Sequence, residues 1–319
     1  MRAILVDKNK ELVCKDIPEP EVKDNEVLIE VHAIGVNRAD LMQRNGEYPS
    51  PAGWPDIMGL EVAGIVLSAP SQSRWKKGDK VCALLGGGGY AEKVSVPVNM
   101  VLPVPEGLSM AQASAIPEIF ATSWLNLCIE GKMKHGETVL IQSGASGVGT
   151  AAIQIVKAFG GKVITTVGSD KKVEFVRSIG ADIIVNREKE DLLSVLEKYP
   201  VDISLDCIAG PSLGKCIEKM AQGGRWIVIA TLGGIMTEIN MNIFFKKGIR
   251  IIGSTLRNKS TEMKGKILAD MESALWPKFS SGDIKPVIYK ILPIDQVSEA
   301  HAILERRENL GKVVLTISE

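Results

Sequence analysis

Residues 142–152 read QSGASGVGTAA, between an apolar run, ETVLIQSG, and a helix-forming segment, GVGTAAIQIVKAFG. A strand that turns through closely spaced glycines straight into a helix meets a narrow structural demand. Gly144, Gly147 and Gly149 allow a sharp turn and let pyrophosphate oxygens approach the helix N-terminus. There, free N–H groups and the helix dipole favour anions. Ser146 stands where the usual G-x-G-x-x-G has its middle glycine. Alone, such a turn is equally well a tight connection with no ligand. Here it is followed by KVITTVG, KKVEFVRSIG closed by Gly180, ADIIVN, a helix over 191–198, VDISLDCI, a helix over 211–220, RWIVIA and IRIIGST. β-branched strands alternating with helices predict a parallel sheet covered on both faces. The expectation is a Rossmann, doubly wound α/β unit that binds a dinucleotide.

The choice of nucleotide rests on the end of the second strand. An NAD site places an acid there, about 20 residues past the glycines, to bond the ribose 2′-hydroxyl. This strand ends at Val167 and Gly168, followed by Ser169, Asp170, Lys171 and Lys172, and Arg187 lies just after the third strand. Hydroxyl and cationic groups suit a 2′-phosphate, so NADP is the expected cofactor. The alternative is a solvated helix start capped by Ser169 or Asp170.

The first hundred residues have another texture. LVCKDIPEP, EVLIEVHAIGV, EVAGIVLSAP and GDKVCALL are short apolar runs bounded by Pro, Asp and Asn, and Gly86 to Gly89 join two of them. They predict a compact antiparallel barrel with no useful helix before Ser109. Ser109 then caps a predicted helix, SMAQASAIPEIFATSWLNLCIEG. After Arg257 a helix, a strand VIYKILPI, a helix EAHAILERRE and a strand VVLTI break the alternating rhythm and return to the first domain. The expected division is 1–119, 120–257 and a return segment 258–319.

Composition excludes other classes. With 38 Lys and Arg against 38 Asp and Glu, the 319-residue chain has no footprint for a polyanion, so nucleic-acid binding is not expected. Its longest apolar stretch, residues 226–236, is too short to cross a bilayer, and Asp7 and Lys8 interrupt any signal-peptide core. Cys14, Cys82, Cys128, Cys207 and Cys216 are scattered with no CxxC pair, which suits reduced thiols and a cytoplasmic location.

Chemistry-bearing side chains are few. His32, His135 and His301 lie far apart, and no cysteine has a second one nearby, so no metal site is expected. SGASG around Ser146 resembles a nucleophile elbow only superficially, since its glycines and downstream sheet serve phosphate better. The cofactor must then carry the reaction. Tyr48, in the Pro/Gly-rich loop NGEYPSPAGW, is either a substrate contact or loop packing.

These residues, with NRADLMQRNGEYPSPAG, GLEVAG, GDKVCALLGGGGYAEKVSVP, AIPEIFATSW, LDCIAG, GRWIVIATLGG, IIGSTLR and NLGKVVL, give a resemblance over nearly the whole length. The chain resembles the zinc-free medium-chain dehydrogenase/reductases, in the zeta-crystallin-like quinone oxidoreductase branch, and there looks most like the tumour-suppressor-inducible type. The resemblance implies a GroES-like β domain, a Rossmann domain and a cofactor cleft between them. Asn37 and Leu60-Glu61 stand where zinc-dependent relatives have a Cys and a His before an acid. By the same resemblance Asn37 and Tyr48 line the substrate side as the catalytic residues, and residues 116–118 with Thr122 border the nicotinamide. Ser146, Gly147, Val148 and Gly149 hold the pyrophosphate; Gly168, Ser169, Lys172 and Arg187 surround the adenosine phosphate, although close relatives have Tyr at position 187. Cys207, Ile208, Leu232, Ser254, Thr255, Leu256 and Lys312 are further cofactor positions.

The implied activity is NADPH-dependent reduction of a quinone by a homodimer. One rival is an enoyl or alkenal reductase on the same fold. The other is a cofactor-binding protein with structural or RNA-associated duties.

Overall fold

The computed structural model describes residues 1–317. The chain divides into two compact units, one of Met1–Ala121 with the chain from Arg257 onward, the other Thr122–Leu256.

The second unit is a six-stranded, wholly parallel sheet. Its strands, in chain order, are Thr138–Ile141, Lys162–Val167, Ile183–Asn186, Val201–Asp206, Met220–Val228 and Arg250–Gly253. Across the sheet they run third, second, first, fourth, fifth, sixth. The direction of winding therefore reverses between the first and fourth strands, where ligands of this fold class bind at the carboxyl ends. Helices Gly147–Ala158, Asp170–Ser178, Leu192–Lys198 and Pro211–Ile217 connect the strands. Trp226, Ile164, Leu140, Val185 and Ile217 fill one core layer, each almost inaccessible to solvent. Burial on both faces explains why the strands read as continuous apolar runs instead of alternating ones.

The first unit carries a seven-stranded sheet and a separate two-stranded ribbon. Glu26–Val36 is its backbone, pairing antiparallel with Glu61–Ser68, Lys93–Pro97 and Lys312–Thr316. Strand Ile288–Pro293 lies parallel to Lys312–Thr316, so the carboxyl-terminal segment completes the amino-terminal sheet.

Four local features differ from the sequence expectation. Residues Arg38–Arg44 form a helix, stabilised where Asp40 Oδ2 accepts the Asn37 backbone N–H at 2.8 Å. Seven residues hold too little period to stand out against the flanking strands. The single helix expected from Ser109 is broken. Ser109 does cap Met110–Ala113, but Pro117 starts a new helix, Pro117–Trp124, and a proline disfavours helical backbone in the residue before it. Strand Arg2–Val6 and helix Met241–Lys246 were also not anticipated.

Candidate functional site

In the Rossmann unit the glycine turn is built as the motif demands. A Cβ on Gly144 would stand 2.1 Å from Thr165 Oγ1, and one on Gly149 would stand 2.5 Å from the Ser143 carbonyl. Neither position admits a side chain. Ser146 occupies the N-cap of helix Gly147–Ala158, its Oγ accepting from Gly149 N at 3.0 Å. The second strand holds this turn in place: Ser143 N donates to Thr166 Oγ1 at 3.1 Å, and Gly144 N to the Thr166 carbonyl at 3.0 Å. Ser143 itself has φ 59°, in the left-handed region that only a constrained non-glycine residue adopts.

At the end of the second strand, a Cβ on Gly168 would meet only Arg187 Nη2, at 3.7 Å. Sequence-distant Gly168 and Arg187 are thus neighbours. Asp170, the acid closest to that strand end, points elsewhere. Its Oδ1 accepts from Asn186 Nδ2 at 2.8 Å and its Oδ2 pairs with Lys189 Nζ at 2.5 Å, which holds the carboxyl below its ordinary pKa. Ser169 is the N-cap residue of Asp170–Ser178, but its hydroxyl makes no capping bond. Lys172 is half-buried on that helix and Arg187 is exposed.

Across the reversal point, Asp206 organises the turn after the fourth strand. Its Oδ1 accepts from Ile208 N at 2.7 Å and Ala209 N at 3.0 Å, and its Oδ2 from Trp226 Nε1 at 2.8 Å. Leu232 N donates to the Cys207 carbonyl and Gly233 N to that of Ile208, at 3.2 and 2.7 Å, so Cys207, Ile208 and Leu232 converge. The Cys207 thiol reaches the Gln142 carbonyl at 3.8 Å, joining the ends of the first and fourth strands. Ser254 and Leu256 are buried, and the Ser254 hydroxyl has no partner. Thr122 is half-buried and its carbonyl accepts from Asn126 Nδ2 at 2.7 Å.

The other unit contains a buried polar network. Lys312 Nζ donates to Val36 O at 2.7 Å, Asn37 Oδ1 at 2.8 Å and Glu61 Oε1 at 2.5 Å. Asn37 Nδ2 donates to Gly35 O at 3.1 Å and Glu61 Oε1 at 3.0 Å, while Glu61 Oε2 accepts the Glu118 backbone N–H at 2.8 Å. Two expected site residues, Lys312 and Asn37, thus sit inside this network. All three ammonium hydrogens of Lys312 are used within its own unit. Both amide hydrogens of Asn37 are likewise engaged, and its carbonyl accepts from Lys312.

The network also bears on zinc. By the resemblance, Asn37 and Leu60 stand at ligand positions of zinc-dependent relatives; Leu60 has no donor atom to offer, and the Asn37 side-chain oxygen already accepts from the Lys312 ammonium. A second cation there would meet Lys312, so these residues do not fit a metal. Among the described residues, no three His, Cys, Asp or Glu side chains gather as a metal site.

Asp40 Oδ2 also accepts from the Tyr90 hydroxyl at 3.0 Å, and Tyr90 Oη lies 3.0 Å from His301 Nε2. Burial pushes the Asp40 carboxyl up to about 6 and drives the His301 imidazole down to about 3. The neutral imidazole therefore donates from Nε2 to the phenol oxygen when Tyr90 gives its hydrogen to Asp40.

Tyr48 is half-buried. The Arg257 guanidinium lies 4.1 Å from its ring centroid and donates from Nη2 to the Pro49 carbonyl at 2.6 Å. Burial, then the charge of Glu118, raise the phenol to about 12, with Arg257 opposing them. Burial and Glu61 in turn push the Glu118 carboxyl up to about 7. Lys264, on helix Thr261–Ser281, is nearly inaccessible, and burial lowers its pKa while Glu118 raises it. Glu61, Asp40, Asp206, Arg257 and Lys264 were not singled out from sequence as site residues. A charged side chain inside an otherwise apolar strand, as at Glu61 in GLEVAG, was the available signal.

Comparison with known proteins gives two family matches. Residues 23–106 match the alcohol dehydrogenase GroES-like domain, and residues 147–273 match the zinc-binding dehydrogenase domain. Human quinone oxidoreductase is 33% identical over 309 residues, covering 95% of this chain and 92% of that protein. Among solved structures, the quinone oxidoreductase of Thermus thermophilus, known also in complex with NADPH, is 29% identical. It superimposes with a TM-score of 0.84 over 99% of this chain and 100% of that one. The enoyl reductase CurK shares the fold, at 24% identity and a TM-score of 0.87 over 99% of each chain.

Proposed function

This chain belongs to the quinone oxidoreductase family of the medium-chain dehydrogenase/reductases, and we propose that it is an NADPH-dependent, zinc-independent quinone reductase. The observation that carries the reading is the end of the second strand. Gly168 leaves room there, Arg187 overhangs it, and the nearest acid, Asp170, is paired with Lys189 and Asn186. An adenosine 2′-phosphate fits such a place and a hydrogen-bonding ribose acid is missing from it. Ser169 supplies a hydroxyl, and Lys172 lies within one helical turn.

NADPH, when bound, supplies the hydride. The protein's part is to place a flat electrophile and to stabilise charge as it develops. Tyr48 keeps its proton at all ordinary pH, because burial holds the phenol near 12, and can therefore donate a hydrogen bond to a reacting oxygen. Asn37, Glu61 and Lys312 fix the strand end and helix start from which the Tyr48 loop departs. Within the family we propose that the chain is nearest the tumour-suppressor-inducible type, on its segments 37–53 and 116–118. Strand Arg250–Gly253 pairs on one side only among the described residues, and Met241 and Phe245, on the helix that precedes it, are exposed, which supports a homodimer joined along that edge.

The test is oxidation of NADPH followed against a panel of quinones, alkenals and enoyl thioesters. Quinone turnover is expected. Activity confined to alkenals or enoyl thioesters would replace the reading with a double-bond reductase, and tight NADPH binding with no turnover would replace it with a binding protein.

A further inference from the structure

The segment between residues 45 and 57 cannot hold itself in place by backbone pairing. Pro49, Pro51 and Pro55 have no N–H to give, and Gly46 and Gly53 adopt φ of 82° and 85° with open space around them. Distant groups hold its two ends, with Lys10 Nζ on the Asn45 carbonyl at 3.1 Å and Gly88 N on the Ile57 carbonyl at 2.6 Å, but around Tyr48 its own bonds are local, such as Trp54 N to the Pro51 carbonyl at 3.1 Å and Gln43 Nε2 to Ser50 Oγ at 3.0 Å. Yet Tyr48, the proposed substrate contact, is in the middle of it.

What fixes Tyr48 comes from more than two hundred residues away. Arg257 Nη2 donates to the Pro49 carbonyl at 2.6 Å and reaches the Tyr48 carbonyl at 3.4 Å. The guanidinium carbon lies over the Tyr48 ring, 4.1 Å from its centroid. One group thus grips both the backbone and the ring face of the same residue. Only arginine does both, since its fork bonds in plane while its face stacks; a lysine ammonium has neither the plane nor the fork. Arg257 Nη1 is buried and makes no hydrogen bond, so the far side of the fork is not tied to another element. Two carbonyls and a ring face, all from the 48–49 stretch, are its hydrogen-bonding and stacking partners. Glu118, Asp40 and Tyr48 all favour its charged form against burial.

We propose that Arg257 is the positioning residue of the substrate loop, a latch that fixes the Tyr48 phenol for the reduction; this rests on the quinone-reductase reading above. Its cation also sits where it opposes the rise in the phenol's pKa that burial and Glu118 produce.

The experiment pairs Arg257→Lys with Tyr48→Phe and reads two independent signals. Hydrogen exchange of the 45–57 segment, measured without any electron acceptor, should speed up in Arg257→Lys while the rest of the unit is unchanged. In turnover, Arg257→Lys should lower kcat/KM for the quinone by about ten- to a hundredfold and leave the KM for NADPH unaltered. In the Tyr48→Phe background the same change should cause little further loss, because the latch acts through the phenol it holds. If Arg257→Lys fails to fold, Tyr48→Leu removes the stacked ring instead, and faster exchange of 45–57 is again expected. Unchanged exchange in the variant that folds overturns the latch, as does a full multiplication of the two kinetic losses. If the wild-type enzyme turns over no quinone, the functional reading falls by itself and exchange alone decides the latch.

Discussion

Replacing Lys312 by methionine tests the buried network directly. The ammonium makes three hydrogen bonds of 2.5 to 2.8 Å, and its ion pair with Glu61 is shielded, with side chains 3% and 0% exposed. Methionine keeps most of the volume and removes the charge. Glu61 then retains the Asn37 amide at 3.0 Å and the Glu118 N–H at 2.8 Å but loses its counter-ion. Leaving one member of a buried pair behind costs about 3–5 kcal/mol, because the remaining charge is neither solvated nor matched. For a unit of this size, 1 kcal/mol moves the melting midpoint by about 2–4 °C, so a fall of roughly 6–20 °C is expected. Differential scanning calorimetry of the cofactor-free protein measures it. The companion variants are Glu61→Gln and the double variant. Removing both charges should restore much of the loss, since the penalty lies in the orphaned carboxylate more than in the missing bond. Two results would refute the reasoning. One is a change under about 1 kcal/mol, the value of an exposed pair. The other is an unchanged midpoint with a large loss of NADPH affinity, which would return Lys312 to the cofactor.

Three further outcomes are expected. Lys172→Ala should weaken NADPH by about ten- to a hundredfold, the value of one charge-assisted contact, and leave NADH nearly untouched in isothermal titration; equal losses for both would give the lysine to the fold. Tyr48→Phe should lower kcat/KM for quinones by an amount on the order of 2–4 kcal/mol with NADPH affinity preserved, and unchanged quinone kinetics would leave the ring as packing. Glu118→Gln should change how stability depends on pH. The folded carboxyl titrates near 7 against an ordinary 4.5, so its stabilising contribution is complete below about 4.5 and is lost as pH rises through 7. The glutamine variant should lack that decline, on the order of 1–3 kcal/mol between pH 5 and 8. Melting curves that keep the wild-type slope would contradict this.

The Rossmann unit was legible because its information is local. Inner strands such as Lys162–Val167 and Val201–Asp206 are buried on both faces and spell nearly continuous apolar runs, and the glycines at 144 and 149 are demanded by contacts of 2.1 and 2.5 Å that no other residue survives. The strand order also follows from connectivity rules once the alternation is seen. Short elements escaped. Arg38–Arg44 is two turns long, with only Asp40 and Leu41 buried, so it lacks the repeated apolar face that marks a helix. A single helix from Ser109 overextends because Met110, Ala111, Gln112 and Ala113 before Pro117 and Glu118 and Ala121 after it all favour helix, and proline at the first position of a new helix reads much like one interrupting an old one.

The polar groups of the first unit were less legible, for a different physical reason. Glu61, Lys312 and Asn37 meet because strands Glu26–Val36, Glu61–Ser68 and Lys312–Thr316 lie side by side. Lys312 is separated from Asn37 by 275 positions, and nothing in NLGKVVL announces a buried ammonium. A sequence can show that a charge is embedded among apolar neighbours, as in GLEVAG. It cannot show which opposite charge the sheet will bring beside it. Arg257 makes the point more sharply, since it sits at the boundary where one alternating pattern stops, and boundaries are where periodicity says least. Its partners are two backbone carbonyls and the face of a ring, none of which leaves a mark in composition or spacing. Asp170 is a different case. An acid at the end of the second strand is what an NAD site requires, and Asp170 follows that strand by three residues. Its side chain instead turns to Lys189 and Asn186, so the local sequence held the right residue types and only the rotamer decided which of them faces the strand end.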